Sequence, residues 1–225
     1  MASEFKVYKD RYVKGGISYT RITTPLDYFT VPELVDWKLE TDNHKEVSKT
    51  AKQIGTRVHN LIKMDFEKGK YSLTPNDSVS IRNCMKAYEE WKRVEKPKII
   101  AMEQTMFNDK LRIAGTFDMG ISCNNVNTAN LVDIKTSASI KPNHWLQIAM
   151  YNYLAEGKYL FLSILRLDKF TGEYEYKTIP YDKRLVNIYL CLLSYYRYIV
   201  DNEDNEELDL SEVVEVNPFD SLLIQ

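Results

Sequence analysis

The stretch LVDIKTSAS, residues 131–139, places an acid and a lysine two residues apart in a run that is otherwise typical of a β-strand. Strand side chains alternate between two faces, so Asp133 and Lys135 share one face while Val132 and Ile134 share the other. The apolar face is predicted to pack in a core. The charged pair has two interpretations, a solvated sheet edge or part of a reactive site.

A second carboxylate is predicted to lie close to this pair. The run LRIAGTFDMGI, residues 111–121, reads as the preceding strand and carries Asp118, and KIIAMEQTMF, residues 98–107, reads as the strand before it. Turn-forming residues separate the runs, which predicts an antiparallel meander. The residues at 114–116 are small and leave room for a ligand at the backbone. Because two converging carboxylates repel each other and a divalent cation removes the repulsion, a metal ion is the simplest interpretation.

Helical patterns surround the meander. Apolar residues recur at helical spacing over residues 49–68 and 80–96, and residues 142–157 begin near a proline and end at a glycine. Two more strand-like segments and a long helix over residues 182–201 follow. The predicted order is ααβββαββα, which indicates an α/β fold with a mixed central sheet flanked by helices.

The chain is interpreted as a single domain over residues 1–200, with an N-terminal lead-in at 1–47 and a core at 48–200. Within the lead-in, the sequence VPELVDWKLE, residues 31–40, predicts a short helix. Residues 201–225 form an acidic tail that is expected to lie on a solvated surface. The apolar end of this tail is available to dock on the protein itself or on a protein partner.

The composition predicts a globular chain, because 225 residues with 44% hydrophobic content can bury a substantial core. The formal charge of −2 argues against coating nucleic acid through bulk electrostatics, although a local basic groove stays open. Neither a long apolar run nor the apolar segment of a signal peptide is found, so we expect a cytoplasmic protein without a membrane partner. The three cysteines have no metal-binding spacing and are expected to be reduced.

Five short motifs occur in register along residues 50–155, and together they carry a resemblance to known enzymes. They are GTRVH ending at His59, a strand glutamate at Glu103, GTFD ending at Asp118, DIK ending at Lys135, and QIAMY ending at Tyr151. In this order they resemble the GxxxH, strand Glu, GxxD, DxK and QxxxY motifs of the RecB-like branch of the PD-(D/E)XK nuclease superfamily.

The resemblance implies a restriction-endonuclease-like core and a Mg²⁺- or Mn²⁺-dependent DNA nuclease. It implies an exonuclease acting on single-stranded DNA or duplex ends during phage or mobile-element recombination, in bacterial or infected-cell cytoplasm. CRISPR-associated members of the branch hold an iron–sulfur cluster with four cysteines, whereas this chain has three at unsuitable spacings, so no cluster is expected. No GxxxxGK[ST] motif is present, so no nucleotide cofactor is expected.

The resemblance also implies a role for each matched residue. His59, Asp118 and Asp133 would hold the metal ion, together with the backbone carbonyl of Ile134. Lys135 would orient or activate the attacking water and stabilise charge on the phosphate. A supporting or second-metal role is implied for one strand residue, Glu103. Contacts to DNA are expected from five side chains: Gln147, Tyr151, Arg57, Lys141 and His144.

Other functions are compatible with the same sequence. A structure-specific or nicking endonuclease could use the same site, and a closed circular substrate would distinguish it because an exonuclease cannot begin on a circle. A catalytically inactive DNA-binding module could keep the fold without the chemistry. Loss of a metal ligand or of Lys135 would mark such a module, and the sequence retains them all.

Overall fold

The computed structural model of the protein describes residues 5–29, 42–122 and 129–202. The helix predicted over residues 31–40 and the tail beyond residue 202 lie outside the described residues. The helices are α1 Thr23–Tyr28, α2 His44–Lys68, α3 Val79–Glu95, α4 Pro142–Leu154 and α5 Lys183–Asn202. The strands are β1 Phe5–Val7, β2 Arg11–Lys14, β3 Ile17–Arg21, β4 Lys98–Asn108, β5 Ile113–Ser122, β6 Ala129–Lys135, β7 Phe161–Leu167 and β8 Tyr174–Pro180.

All the described strands belong to one mixed, mostly antiparallel sheet, which confirms the predicted fold class. The strand order is β1-β2-β3-β5-β6-β7-β8, and β4 pairs with β5 outside this path. β4 runs antiparallel along the whole of one edge of β5. On the other edge, β3 pairs in parallel with Ile113 and Ala114, and β6 pairs with the segment Met119–Ser122. Residues 115–118 therefore lie at a fork where β3 and β6 diverge.

Two hydrophobic cores lie on opposite faces of this sheet. α2 and α3 pack on one face, where Tyr88 and Trp91 are fully buried against β6 and β7. α4 and α5 pack on the other face, where Tyr159 and Tyr189 are fully buried. Burial of large aromatic side chains on both faces fixes the helices against the sheet. None of the helices in the described residues is long and apolar enough to cross a membrane.

The predicted order ααβββαββα matches the structure from α2 to α5. The structure adds β1, β2, β3 and α1 in the segment that was interpreted as a lead-in. These strands have only three to five residues each, which is too short to give a clear periodic signal. Gly15 and Gly16, with φ of 56° and 78°, form the β2–β3 turn, because a two-residue hairpin turn of this kind needs positive φ at both positions.

Candidate active site

Asp118 lies at the fork between β3 and β6, where it joins the sheet to α2. One carboxylate oxygen, Oδ2, accepts a 2.7 Å hydrogen bond from the backbone N–H of Ile134. The other, Oδ1, lies 3.3 Å from Nδ1 of His59, whose Nε2 lies 3.2 Å from the carbonyl oxygen of Ile134. His59 therefore links the acid on β5 to the backbone of β6.

The environment changes the proton affinities of both members of this pair. Burial lowers the pKa of His59, but the charge and hydrogen bond of Asp118 outweigh burial and raise the pKa to about 9. Burial likewise acts to raise the pKa of Asp118, and the His59 charge brings it below its ordinary value. The pair is therefore an imidazolium and a carboxylate at neutral pH when no other ligand is present.

Asp133 and Lys135 form a buried pair, which excludes the interpretation as a solvated sheet edge. The Asp133 side chain is 1% exposed, and Nζ of Lys135 lies 2.7 Å from its Oδ2. The two groups form a close ion pair, and the Asp133 carboxylate accepts no other hydrogen bond from the described residues. Burial and the charge of Asp118 raise the pKa of Asp133 to about 6, against the opposing charge of Lys135.

Two residues of α4 hold the lysine of this pair. Nζ of Lys135 donates to Oε1 of Gln147 over 3.1 Å, and Nε2 of Gln147 donates to the hydroxyl of Tyr151 over 2.8 Å. Gln147 and Tyr151 lie one helical turn apart on the face of α4 that covers the sheet. Burial lowers the pKa of Lys135, but the charges of Asp133 and Asp118 outweigh burial and raise it, so the amine is protonated at neutral pH.

The glycine of GTFD makes room for Tyr151. A Cβ added to Gly115 would lie 2.6 Å from Cε1 of Tyr151 and 2.9 Å from Cδ1 of Ile22. The prediction that the small residues leave space for a ligand is therefore wrong at this position, because protein side chains fill the space. GTFD and QIAMY, which are distant in sequence, meet at this contact.

Glu103 lies opposite Asp118 across β4 and β5, between the register pairs Met102–Met119 and Gln104–Phe117. It is held at a φ of 44°, which is unusual for a residue other than glycine and costs about 1–3 kcal/mol. Its carboxylate lies 2.6 Å from Nζ of Lys63, which is one helical turn beyond His59 on α2. Lys63 was not predicted as a site residue, although it follows His59 by four residues, a spacing that places both side chains on one face of the helix.

Asp27 of α1 is a further acid near the site that sequence analysis missed. Burial raises its pKa, and the charges of Arg21, Lys135 and Lys52 oppose this rise. The charge of Asp27 in turn raises the pKa of Lys135. Its sequence context, in the short helix TTPLDY, carries no motif that would have identified it.

Arg57, which was expected to contact DNA, is engaged elsewhere in the fold. Its Nε and Nη2 donate to the two carboxylate oxygens of Asp77 over 2.8 and 2.9 Å. Arg57 holds the pKa of Asp77 well below its usual range, and a hydrogen bond from the backbone of Thr74 adds to this effect. The structure thus gives Arg57 a partner in the α2–α3 connection and does not bring it to the site.

Lys141 and His144, the other basic residues expected to contact DNA, lie at the start of α4. Nδ1 of His144 accepts a 3.1 Å hydrogen bond from the backbone N–H of Lys141. Burial lowers the pKa of His144 to about 3, and the charges of Lys135 and Lys141 contribute. His144 is therefore neutral at physiological pH and closes the first turn of the helix.

Within the part of the chain that the structure describes, no group of three or more His, Cys, Asp or Glu side chains forms a metal site. Asp133 nevertheless fits a cation, because its carboxylate is buried and its contact with Lys135 leaves lone pairs without a hydrogen bond in the described residues. Asp118, Asp133 and the Ile134 carbonyl offer the oxygen ligands that Mg²⁺ and Mn²⁺ bind. His59 adds a nitrogen ligand, which suits Mn²⁺ somewhat better.

No protein-family model and no curated protein matches the sequence. Among solved structures, the chain is similar to an alkaline exonuclease (LHK-Exo) from Laribacter hongkongensis, with 11% identity, a TM-score of 0.46, and coverage of 82% of this chain and 89% of that chain. It is also similar to a phage-related exonuclease from Haemophilus somnus 129PT, with 12% identity, a TM-score of 0.41, and coverage of 82% and 96%.

Proposed function

We propose that the protein is a metal-dependent DNA nuclease of the RecB-like PD-(D/E)XK type. The observation that carries this proposal is the buried Asp133 carboxylate, which has Lys135 beside it and accepts no other hydrogen bond in the described residues. Lys135 balances the charge of Asp133, and the remaining lone pairs of this carboxylate and of nearby Asp118 offer the oxygen ligands that a divalent cation binds.

The residues that would hold the ion are Asp118, Asp133, His59 and the carbonyl of Ile134. When bound, the ion supplies a water of lowered pKa and stabilises negative charge on the phosphate. His59 must lose its proton before it can act as a ligand, because only neutral imidazole has a free lone pair. Once His59 is neutral, Asp118 would no longer face an imidazolium and would be available to hold the cation.

Lys135 is proposed to stabilise the negative charge that develops on the scissile phosphate. Its raised pKa keeps the amine protonated, so it cannot take a proton from water at neutral pH. Gln147 fixes the position of Nζ, and Tyr151 fixes the amide of Gln147. We therefore assign the QIAMY residues to the orientation of Lys135, a role that was not expected from the sequence.

A supporting role is proposed for Glu103 in preference to a second metal site. Its carboxylate is 25% exposed and lies 2.6 Å from Nζ of Lys63, whereas Asp133 is 1% exposed and lies close to a second carboxylate, Asp118. Glu103 lies opposite Asp118, and its contact with Lys63 would hold the backbone of β4 at the positive φ observed there.

The finer proposal is an exonuclease on single-stranded DNA or duplex ends in phage or mobile-element DNA processing. End-labelled linear and closed circular single-stranded DNA would be incubated with Mg²⁺, Mn²⁺ or EDTA. We expect loss of the linear DNA alone, dependent on metal, with the order of label release giving the polarity. Cutting of the circle would replace the exonuclease with an endonuclease.

The lysines offer a matched pair of variants for this experiment. Lys135→Ala is expected to abolish cleavage, whereas Lys177→Ala removes another strand lysine that lies two residues after an acid and is expected to leave cleavage intact. Metal-independent cleavage, or equal activity of Lys135→Ala and wild type, would contradict the proposal. Binding of DNA without cleavage by wild type would favour the inactive binding module.

A further inference from the structure

The three N-terminal strands concentrate positive charge in a chain that is acidic overall. Residues 5–21 contain five lysine and arginine residues and one acidic residue, whereas the whole chain has a formal charge of −2. Of these cations, Lys6, Lys9 and Arg11 are exposed, and Lys14 and Arg21 are half-buried. Such a local excess of positive charge is an electrostatic signature of a surface that binds a polyanion.

One face of these strands carries an aromatic cluster made only of strand residues. The β2–β3 register places Tyr12 opposite Tyr19, and the β4–β5 register places Phe107 opposite Ala114. These four residues and Phe5 form one hydrophobic cluster. Among the described residues, no helix contributes to this cluster, unlike the two larger cores.

This face is continuous with the candidate active site. The hydroxyl of Tyr12 lies 3.2 Å from Oγ1 of Thr116, which lies 2.8 Å from Oγ1 of Thr105. Thr116 precedes Asp118 by two residues on β5. The hydroxyl groups therefore extend from the aromatic cluster to the part of β5 that carries Asp118.

Three cations lie over the rings of the cluster. Nζ of Lys14 lies 4.7 Å from the ring centroid of Phe107. The guanidinium of Arg21 lies 5.5 Å from the centroid of Tyr12, and that of Arg112 lies 5.9 Å from the centroid of Tyr19. Arg112 is held at a φ of 48°, a strained conformation that is concentrated at functional sites.

No carboxylate of the described residues neutralises these three cations, so they are available to a ligand. Within the described residues, Lys14, Arg21 and Arg112 form no ion pair with a carboxylate. Arg21 donates instead to the carbonyl oxygen of Tyr8 over 3.1 Å. The acid in contact with the cluster, Asp109, accepts a 2.6 Å hydrogen bond from Tyr19.

We infer that Lys14, Arg21 and Arg112 form a phosphate track for single-stranded DNA running to the active site. This inference rests on the proposed nuclease function and names the surface that delivers its substrate. Because Tyr12 and Tyr19 are only 3% and 2% exposed, their rings orient the cations and do not stack on bases. The track contacts the sugar–phosphate backbone and is independent of base sequence.

The test compares two sets of alanine substitutions in the full chain. The track variant is Lys14→Ala/Arg21→Ala/Arg112→Ala. The control variant is Lys158→Ala/Lys169→Ala, which removes cations that also lie over rings, at 5.7 and 5.3 Å, but in other connections of the fold. Binding of a labelled 20-nucleotide oligothymidylate would be measured by fluorescence anisotropy in EDTA over a range of salt concentrations.

We expect the track variant to bind at least about tenfold more weakly at low salt. The slope of log K against log salt should fall in magnitude by about 2, because each phosphate contact to a single strand contributes about 0.7. The control variant should match wild type in both quantities. Affinity of the track variant within twofold of wild type, with an unchanged slope, would overturn the inference.

A second variant is needed if the triple variant does not fold, because Arg21 also donates a hydrogen bond to the backbone. If the thermal midpoint of the triple variant falls, Lys14→Gln/Arg112→Gln retains Arg21 and should lower the slope by about 1.4. An unchanged slope in this folded variant would overturn the track.

Hydrolysis of a dinucleotide by wild type with Mn²⁺ tests the proposed nuclease separately. Hydrolysis together with unchanged DNA binding by the track variant would overturn the track alone. Weakened binding by the track variant, without hydrolysis of any substrate by wild type, would support a DNA-binding surface and contradict the nuclease.

Discussion

Two strands of the same sheet carry an acid and a lysine two residues apart, but the two pairs differ in burial. On β6, Asp133 and Lys135 are 1% and 19% exposed, and on β8, Glu175 and Lys177 are 32% and 60% exposed. The lysine Nζ lies 2.7 Å from its acid on β6 and 2.6 Å on β8. Local sequence and ion-pair distance are therefore nearly the same in the two strands.

The environments push the two acids in opposite directions. Lys177 and Arg166 hold the pKa of Glu175 below its usual range. Burial raises the pKa of Asp133 to about 6, and the nearby charge of Asp118 adds to this effect. The outer pair is a solvent-screened surface contact that contributes little to stability, whereas the inner pair carries the desolvation cost of a buried ion pair. The comparison shows that strand position decides whether this pattern forms an exposed pair or a buried one.

The largest expected difference between the strands is in catalysis. Asp133→Asn removes a proposed metal ligand and should lower kcat by about 10³-fold or more, or roughly 4 kcal/mol. Glu175→Gln should leave kcat within about twofold, because the β8 pair is partly exposed and weak. Rates on end-labelled DNA with saturating Mn²⁺ measure both variants, and equal rates would remove the distinction between the strands.

Gln147→Leu should give the next largest effect. Loss of a hydrogen bond to a charged group costs about 2 kcal/mol, so kcat should fall about 30-fold when Nζ of Lys135 loses this acceptor. Tyr151→Phe keeps the Gln147 contact to Lys135 and should have a smaller effect. A rise in KM without a fall in kcat would instead indicate that Gln147 holds DNA, as the sequence suggested.

Two glycines of β5 separate a site effect from a packing effect. Added Cβ atoms would lie 2.6 Å from Cε1 of Tyr151 at Gly115 and 2.5 Å from the hydroxyl of Tyr159 at Gly120. Either alanine substitution should lower the free energy of unfolding by about 1–3 kcal/mol through overpacking. Gly115→Ala alone should also lower kcat, by about tenfold, since it displaces the residue that holds Gln147. Equal kcat values for the two variants would contradict this coupling.

The last expected effect is the change in metal affinity with each pH unit. The pKa of His59 is about 9, and metal binding requires its neutral form, so each metal ion bound below pH 9 releases one proton. The affinity for Mn²⁺ should therefore increase about tenfold per pH unit between pH 7 and 9, measured by calorimetry. Near pH 6 the dependence should steepen, because Asp133 also becomes protonated. In His59→Ala the increase above pH 7 should disappear, and its persistence would show that another group is titrating.

The sequence predicted the part of the fold that has strong periodicity. Helices and strands from α2 to α5 follow apolar spacing and turn residues, and these elements were placed near their observed ends. The short strands β1–β3 were missed because three to five residues are too few to show a clear alternation. The β6 and β8 pairs could not be separated by pattern alone, because burial depends on sheet order, which arises from the whole chain.

The candidate site was predictable only where a motif marked it. His59, Asp118, Asp133 and Lys135 lie together in the structure as the resemblance implied. Arg57 has a local partner instead, because Asp77 presents both carboxylate oxygens to it, a pairing that no motif in the sequence marks.

The most direct test of the account asks whether Mn²⁺ binds at Asp133. Thermal midpoints would be measured with Mn²⁺ and with EDTA for wild type, Asp133→Asn and Glu175→Gln. Ligand that binds only the folded state raises its stability, so Mn²⁺ should raise the midpoints of wild type and Glu175→Gln but leave that of Asp133→Asn unchanged. An equal rise in Asp133→Asn, or no rise in wild type, would contradict the assignment of this acid to a divalent metal ion.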